Sequence, residues 1–391
     1  MTAAGRRGPG GSVRARLVAA EAGAGAALAG VALPGAWGYA LTGAGVLAAV
    51  GGPVRVRGER AGRRLPARLR RGTPAPGPAP GAGAGPGPER LGAAQTLLPA
   101  LTVTEAPDRN IPGPDGLGVA GDGRGHATVA AFPGGMLPAL PAAAVARWLA
   151  EDPARPAAAQ IVVERFAVPS WDMHYHYPPT AAYRGLPGAG TAVAVRSWLV
   201  VRCEPLEAPR AIALRGGGQA GAHAALAAAA RLRARLAARG APTVPLTAAS
   251  TRDLLRHLGD PEPDGRALRG SWAGRGAAHA TLTAEVASRG DWFRLLAGLA
   301  RCSADRVVVA ATLTAEGGEL RVRTAVRVVS ALPQHAAAQR DALHSAGITG
   351  PPGRDQSAGL LATLPLAHPG RPLAEAAGLT TAAVPFSREA A

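Results

Sequence analysis

The stretch Trp171-Asp172-Met173-His174-Tyr175-His176-Tyr177 holds the densest group of side chains able to do chemistry. On an extended backbone alternate side chains face one way, so Asp172, His174 and His176 would share a side. Two imidazoles and a carboxylate suit zinc or a related metal, which makes these three the candidate metal ligands. No further ligand cluster accompanies them. The competing reading is an aromatic, His-containing loop packed on the domain surface or against a partner, and no cofactor is expected from the sequence.

Gly216-Gly217-Gly218 follows Arg215 and precedes a strong helical segment. Backbone N–H groups at such a turn can receive a phosphate. The spacing is not that of a P-loop, and the sequence contains no lysine to serve one, so a plain glycine-rich connection competes. Ser, His and Asp occur scattered, without a nucleophile-elbow motif. His335 opens a helix with no sequence-adjacent nucleophile. Cys203 and Cys302 are the two cysteines, too few for a disulfide framework, and both border apolar segments that would bury them as free thiols. No catalytic residue is expected, and the chain reads as a non-enzyme.

The elements that would position these groups are readable from hydrophobic period and turn chemistry. Strands are expected at Leu97–Thr104, His126–Phe132, Gln160–Val168, Thr191–Cys203, Thr243–Leu246, His279–Val286, Arg306–Thr314, Leu320–Ser330 and Gly359–Leu366. Helices are expected at Pro138–Leu149, Gly221–Arg239, Thr251–Leu258, Asp291–Ala300 and Pro333–Ala346, with Gly240 a natural stop for the second. The order over 279–366 is β-α-β-β-α-β, a split βαβ pattern, and 126–239 repeats most of it. The fold class is therefore α+β, read as one body or as two split-βαβ, ferredoxin-like units at 91–259 and 277–367, with an irregular tail over 368–391.

The N-terminal part differs in kind. Ala22 to Val54 carries no charge and is split by Pro34-Gly35. It reads as a two-helix transmembrane hairpin over 17–54, with helices at about 17–33 and 36–54. Residues 1–16 are a basic N-terminus, and 55–71 an Arg-rich flank. Arg14, Arg16, Arg55, Arg57, Arg60, Arg63 and Arg64 are the candidate membrane-flanking residues. A signal peptide and a buried helical hairpin compete. Residues 72–90 alternate Pro, Gly and Ala, an extended spacer. Residues 1–71 hold twelve arginines against Glu21 and Glu59, so +10 of the net +17 lies there. Such a flank attracts anionic lipid headgroups and argues against nucleic acid as the partner, since aromatics for stacking are missing beside the arginines of 231–239. The composition also fits a GC-rich genome.

Several stretches resemble a known family: VRSWLVVRCEPLEAPRAIALRGGG (Val195–Gly218), AAHATLTAEV (Ala277–Val286), LRVRTAVRVVSALPQHAA (Leu320–Ala337) and GLLATLPLA (Gly359–Ala367). Together with the Arg-flanked apolar segments, the chain is similar to EccE, a type VII secretion protein of actinobacteria, of the streptomycete kind. None of these stretches is a catalytic signature. The resemblance implies a non-catalytic, membrane-anchored subunit of the type VII core complex, in the cell membrane with its folded domain on the cytoplasmic side. The implied partners are EccB, the motor ATPase EccC, and EccD. In that role the arginines of Leu320–Ser330, Arg321, Arg323 and Arg327, would face acidic patches of neighbours. A membrane-tethered transferase-like enzyme and a basic lipid- or nucleic-acid-surface binder are the alternatives.

Overall fold

A computed structural model of the chain describes residues 25–33, 35–51, 55–56, 59–60, 91–106, 116–135, 142–166, 182, 194–215, 220–261, 263–316 and 319–384. The chain divides into two compact units, 1–71 and 72–391.

In the first unit, helix α1 (25–32) and helix α2 (Ala36–Gly51) are joined through Gly35, whose φ of 93° is open to glycine at no steric cost. The two helices pack closely. Thr42 Oγ1 lies 2.8 Å from the Gly38 carbonyl and 3.4 Å from that of Ala27, and a Cβ on Gly30 would overlap the Thr42 backbone. Strands β1 (Arg55–Val56) and β2 (Glu59–Arg60) form a short antiparallel pair. The expected transmembrane hairpin is not seen: among the described residues no helix is long and apolar enough to cross a membrane. The physical reason is length. α2 stops at Gly51 after 16 residues, a rise of about 24 Å against a hydrocarbon core of about 30 Å. Residues 17–24, the start of the first expected span, lie outside the described residues.

The second unit is built on one sheet. Its elements are α3 (Ala93–Leu97), β3 (Thr102–Ala106), β4 (Leu117–Gly121), β5 (His126–Ala131), α4 (Ala142–Glu151), β6 (Ala158–Phe166), β7 (Ala194–Cys203), α5 (Pro209–Ala213), α6 (Ala220–Ala237), β8 (Val244–Pro245), α7 (Ala248–Gly259), β9 (Arg266–Leu268), β10 (Ser271–Ala273), β11 (Ala278–Ala284), α8 (Arg289–Leu299), β12 (Arg306–Glu316), β13 (Glu319–Ser330), α9 (Pro333–Ser345), α10 (Gln356–Ala362), α11 (Arg371–Ala377) and β14 (Thr381–Val384). The sheet has twelve strands in the order β3-β4-β5-β7-β6-β12-β13-β11-β10-β9, with β8 on β5 and β14 on β13. Every pairing is antiparallel.

Its centre repeats. The run β5-α4-β6-β7-α6 lays its strands in the order β5-β7-β6, and β11-α8-β12-β13-α9 lays its own as β11-β13-β12. The halves meet where β6 pairs with β12, Val163 opposite Val309. Corresponding strands that meet antiparallel are what a two-fold relation between repeats requires. The two stretches expected as units thus share one continuous sheet.

Helices cover both faces. Period-2 alternation sends Ala159, Ile161 and Val163 of β6, and Val307, Val309 and Leu313 of β12, against α4, α6, α8 and α9 in one core. The other face carries Val162, Val200, Val308 and Ala310 against α3, α7 and the segment after α10.

Two expectations change here. Gly359–Leu366, read as a strand, falls half in helix α10 and half in the turn after it. Asp355 caps that helix by accepting from Ser357 N at 2.8 Å and Ala358 N at 3.3 Å, and a short apolar run does not by itself distinguish strand from helix. The tail expected to be irregular holds α11 and β14, the latter pairing with β13 from Leu320↔Val384 to Arg323↔Thr381.

Candidate functional site

The face of the sheet under α7 carries a row of polar side chains where the opposite face is apolar. Arg196 on β7 stands opposite Glu164 on β6, Glu164 opposite Val308 on β12, and Val308 opposite Arg327 on β13. Arg306 and His279 stand two residues along on β12 and β11. Each is buried except Arg196, whose side chain is 37% exposed. The C-terminus of α7 comes down on this row.

Glu164 is the anchor. Arg196 donates to its Oε2 from Nε at 3.0 Å and Nη2 at 2.7 Å. His257 of α7 donates from Nε2 to Oε1, and Arg306 Nη1 lies 3.5 Å from the same oxygen. Burial alone would raise the Glu164 pKa. The His257 hydrogen bond and the positive charges around it outweigh burial and hold it at about 2. Burial and Arg306 keep His257 below its ordinary value, and Arg196 Nη2 and Arg306 Nη1 also reach its Nε2, at 2.9 and 3.1 Å. Arg196 also stacks on Phe166 and Trp198, 4.8 and 5.6 Å from the ring centres.

Beside it lies a second chain. Arg327 Nη1 donates to His279 Nδ1 at 3.0 Å, and His279 Nε2 donates to Asp260 Oδ2 at 3.0 Å. An acceptor at Nδ1 fixes the Nε2–H tautomer. Burial is the largest cause that pushes the His279 pKa down to about 4. Both ring nitrogens are committed, so this imidazole holds structure and does not move protons. Arg306 and Arg327 further donate to the carbonyls of His257 and Leu258. These are orphan carbonyls of the last turn of α7, where cations also meet the negative end of the helix dipole. Asp260 then turns the chain at φ 72° and accepts from Ala93 N at 3.0 Å through its carbonyl. The Gly274 backbone passes so close that a Cβ there would overlap the Asp260 carboxylate.

A third network sits at the far end of β7. The buried Arg202 makes a bidentate pair with Asp122 at 2.9 and 3.0 Å, and donates to Glu204 at 3.0 Å and to the Leu366 carbonyl at 3.3 Å. Arg124 adds two 3.2 Å contacts to Glu204. Burial would raise the Asp122 pKa most, but Arg202, the Gly125 N–H and His368 together outweigh it and the net shift is downward. His368, beside them, is pushed down to about 3 by burial first and Arg202 second. A fourth contact chain joins Asp305, Ser330 and His335. Ser330 Oγ lies 3.0 Å from both Asp305 Oδ2 and His335 Nδ1, while His335 Nε2 lies 3.4 Å from Ser303 Oγ. Reading along the chain misses this neighbourhood, because Ser303 and His335 meet only where Gln339 of α9 accepts from Ser303 N, just after α8.

The residues singled out from sequence fall elsewhere. Asp172, His174 and His176 lie outside the described residues, as do Gly216–Gly218 and Arg14, Arg16, Arg57, Arg63 and Arg64. Arg55 and Arg60 face each other across the β1–β2 pair. Among the described residues no group of three His, Cys, Asp or Glu could hold a metal ion. Cys203 and Cys302 are free and buried, and burial pushes the Cys203 thiol up to about 12, which leaves it inert. Two of the three strand arginines expected to face partners are drawn inward: Arg327 is fully buried, and Arg323 is 5% exposed and donates to the Pro369 carbonyl and Thr381 Oγ1, while Arg321 stays partly exposed and pairs with Glu319 at 2.8 Å. Helix α6 also spends its arginines locally, Arg231 on Asp152 and Arg233 on Thr243.

The family described as "Putative type VII ESX secretion system translocon, EccE" matches residues 191–284, and the resemblance to EccE is borne out over that segment. The match runs from β7 to β11. It holds Arg196, His257, Asp260 and His279, whose partners Glu164, Arg306 and Arg327 come from strands outside it. A comparison with curated proteins finds no match for the chain.

Proposed function

We propose that this chain is a non-catalytic structural subunit of a type VII protein secretion complex, which binds EccB, EccC and EccD through the surface of its sheet domain. The observation that carries the reading is the family match over 191–284. The geometry supports it in kind. The buried charged side chains among the described residues of the second unit are paired within the protein and tie α7 and the C-terminal segment to the central strands. Buried pairs of this sort specify a rigid body rather than a reactive site. Of the arginines over 231–239 that a nucleic-acid reading would use, Arg231 is engaged with Asp152 and Arg233 with Thr243.

Association with the cell membrane then comes through the other core subunits, helped by attraction of anionic headgroups to the arginine-rich stretches on either side of the first helices. Co-purification tests the reading. A C-terminally tagged chain, extracted from membranes in mild detergent, is expected to bring an FtsK-type ATPase and multi-spanning subunits with it. Recovery of the chain alone contradicts it.

A further inference from the structure

The contact chain of Asp305, Ser330 and His335 ends on an exposed serine, and the carboxylate sets where its hydrogens lie. Asp305 stands just before β12 and Ser330 is the last residue of β13. They are 7% and 1% exposed. Asp305 Oδ2 accepts from Ser330 Oγ at 3.0 Å and from Ala331 N at 2.8 Å. A hydroxyl has one hydrogen to give. Ser330 gives it to the carboxylate, so toward His335 Nδ1, 3.0 Å away, it accepts. His335 therefore carries a proton on Nδ1, and in its neutral form the lone pair lies on Nε2. The group facing that lone pair, at 3.4 Å, is Ser303 Oγ.

Ser303 lies in the connection between α8 and β12, exposed at its side chain and held at its backbone. Its N–H donates to Gln339 Oε1 of α9 at 3.0 Å. Cys302 Sγ donates to the same oxygen at 3.4 Å, which leaves Nε2 of that amide as a donor beside Ser303. His335 is the third residue of α9, in the helix turn that carries the positive end of the dipole. An exposed hydroxyl on a base whose tautomer is fixed through a buried acid, with an amide donor alongside, is suited to acyl transfer. The arrangement differs from a direct triad by one hydroxyl, since Ser330 stands between the imidazole and Asp305.

We propose that Ser303 is a nucleophilic serine that takes an acyl group from an activated carboxylic ester. Ser303 Oγ attacks the carbonyl carbon while its proton passes to His335 Nε2. The bond from that carbon to the leaving oxygen then breaks, and the leaving group takes the proton from Nε2. The chain is left carrying an O-acyl serine. This is a modification of the protein and not a turnover, so it stands or falls independently of the assembly reading.

Intact-mass spectrometry and peptide mapping of the purified full chain after incubation with p-nitrophenyl acetate test it. The sequence contains no lysine, so the usual side-chain amines do not compete for the label. One acetyl group per chain, on Ser303, is expected. Ser303→Ala should lose it. His335→Gln should slow it about a hundredfold, and added imidazole should restore part of the rate, which a merely structural loss would not allow. Ser330→Ala should slow it about tenfold, the weight of one hydrogen bond, and Ser330→Thr, which keeps the hydroxyl, should restore it. Gln339→Glu keeps the acceptor for Ser303 N but removes the amide donor, and should slow it about a hundredfold. Absence of acetylation of the wild type overturns the proposal. So does an acetyl group on Cys302 in place of Ser303, labelling of other serines as fast as Ser303, or a wild-type rate in His335→Gln. The wild-type map and Ser303→Ala leave the core packing untouched, so they decide the matter even if a buried variant misfolds.

Discussion

Glu164 sits under α7 with no exposed surface, yet it stays ionised because Arg196, Arg306 and His257 converge on its two oxygens. Removing the charge leaves two arginines facing a neutral amide inside the protein. Glu164→Gln should therefore cost on the order of 3 kcal/mol in urea unfolding, whereas Arg196→Ala, at a side chain 37% exposed, should cost about 1 kcal/mol or less. Equal costs would mean that the carboxylate is not the keystone. The same residues set the acid response. His279 is neutral in the fold with its pKa at about 4 against an ordinary 6.5, so the unfolded chain binds the extra proton first. Its contribution is complete above about pH 6.5 and is lost as the pH falls toward 4. Glu164, about 2 in the fold against 4.5, adds a second loss from about 4.5 down to 2. Melting temperatures measured from pH 7 to pH 3 should fall in both windows. His279→Gln should make the upper fall shallower, leaving the share of His368, which is held at about 3, and an unchanged slope there would remove His279 from the account.

Among the elements, α10 shows how a side chain can stand in for a strand. β10 pairs with β11 at Ala278 and His279 and reaches no farther along it. Beyond that the backbone of residues 350–353 takes the edge of β11, Gly353 N reaching the Thr281 carbonyl at 2.8 Å and Thr283 N the Pro351 carbonyl at 3.1 Å, and Gln356 at the start of α10 completes it at Thr281. Its Oε1 accepts from Thr281 N at 2.7 Å, and its Nε2 donates to the Thr281 carbonyl at 3.1 Å and to that of Gly353 at 2.9 Å. Gln356→Leu keeps the volume but strands the Thr281 N–H and the Gly353 carbonyl, while the Thr281 carbonyl keeps Gly353 N, at a cost of about 2 kcal/mol. The amide of Thr281 should then exchange faster with solvent, and unchanged protection would show that another group caps this edge. The central strands and α6, α7, α8 and α9 were legible from the sequence because β-branched runs and helical spacing signal them directly. β4, β9 and β10 were not, being short and set in turn-rich sequence. The pattern of β13, Arg321-Val322-Arg323, reads as a half-exposed strand. That both its faces are covered depends on α10 and α11, whose packing no local pattern announces. The polar row was hidden for the same reason: Arg196, Glu164 and Arg327 look like outward-facing charges until the sheet order brings β7, β6, β12 and β13 side by side.

At the scale of the molecule, two similar β-α-β-β-α runs fuse through β6 and β12 into one sheet, and buried ion pairs lock α7 and the C-terminal segment onto it. The matched segment 191–284 contains α7, the helix that closes the polar row, and its flanking strands. The N-terminal apolar stretch was read too far. Lack of charge over Ala22 to Val54 signals an apolar hairpin, but α2 spans only 16 residues, and Gly30 and Gly38 serve the packing of two helices on each other. The measurement that tests the central claim most directly is the native size and composition of the tagged chain after gentle extraction from membranes. Membership of a secretion machine predicts a large particle that also contains EccB, EccC and EccD. A chain that runs as a free species near its own 39.1 kDa, with none of these subunits beside it, would contradict the claim.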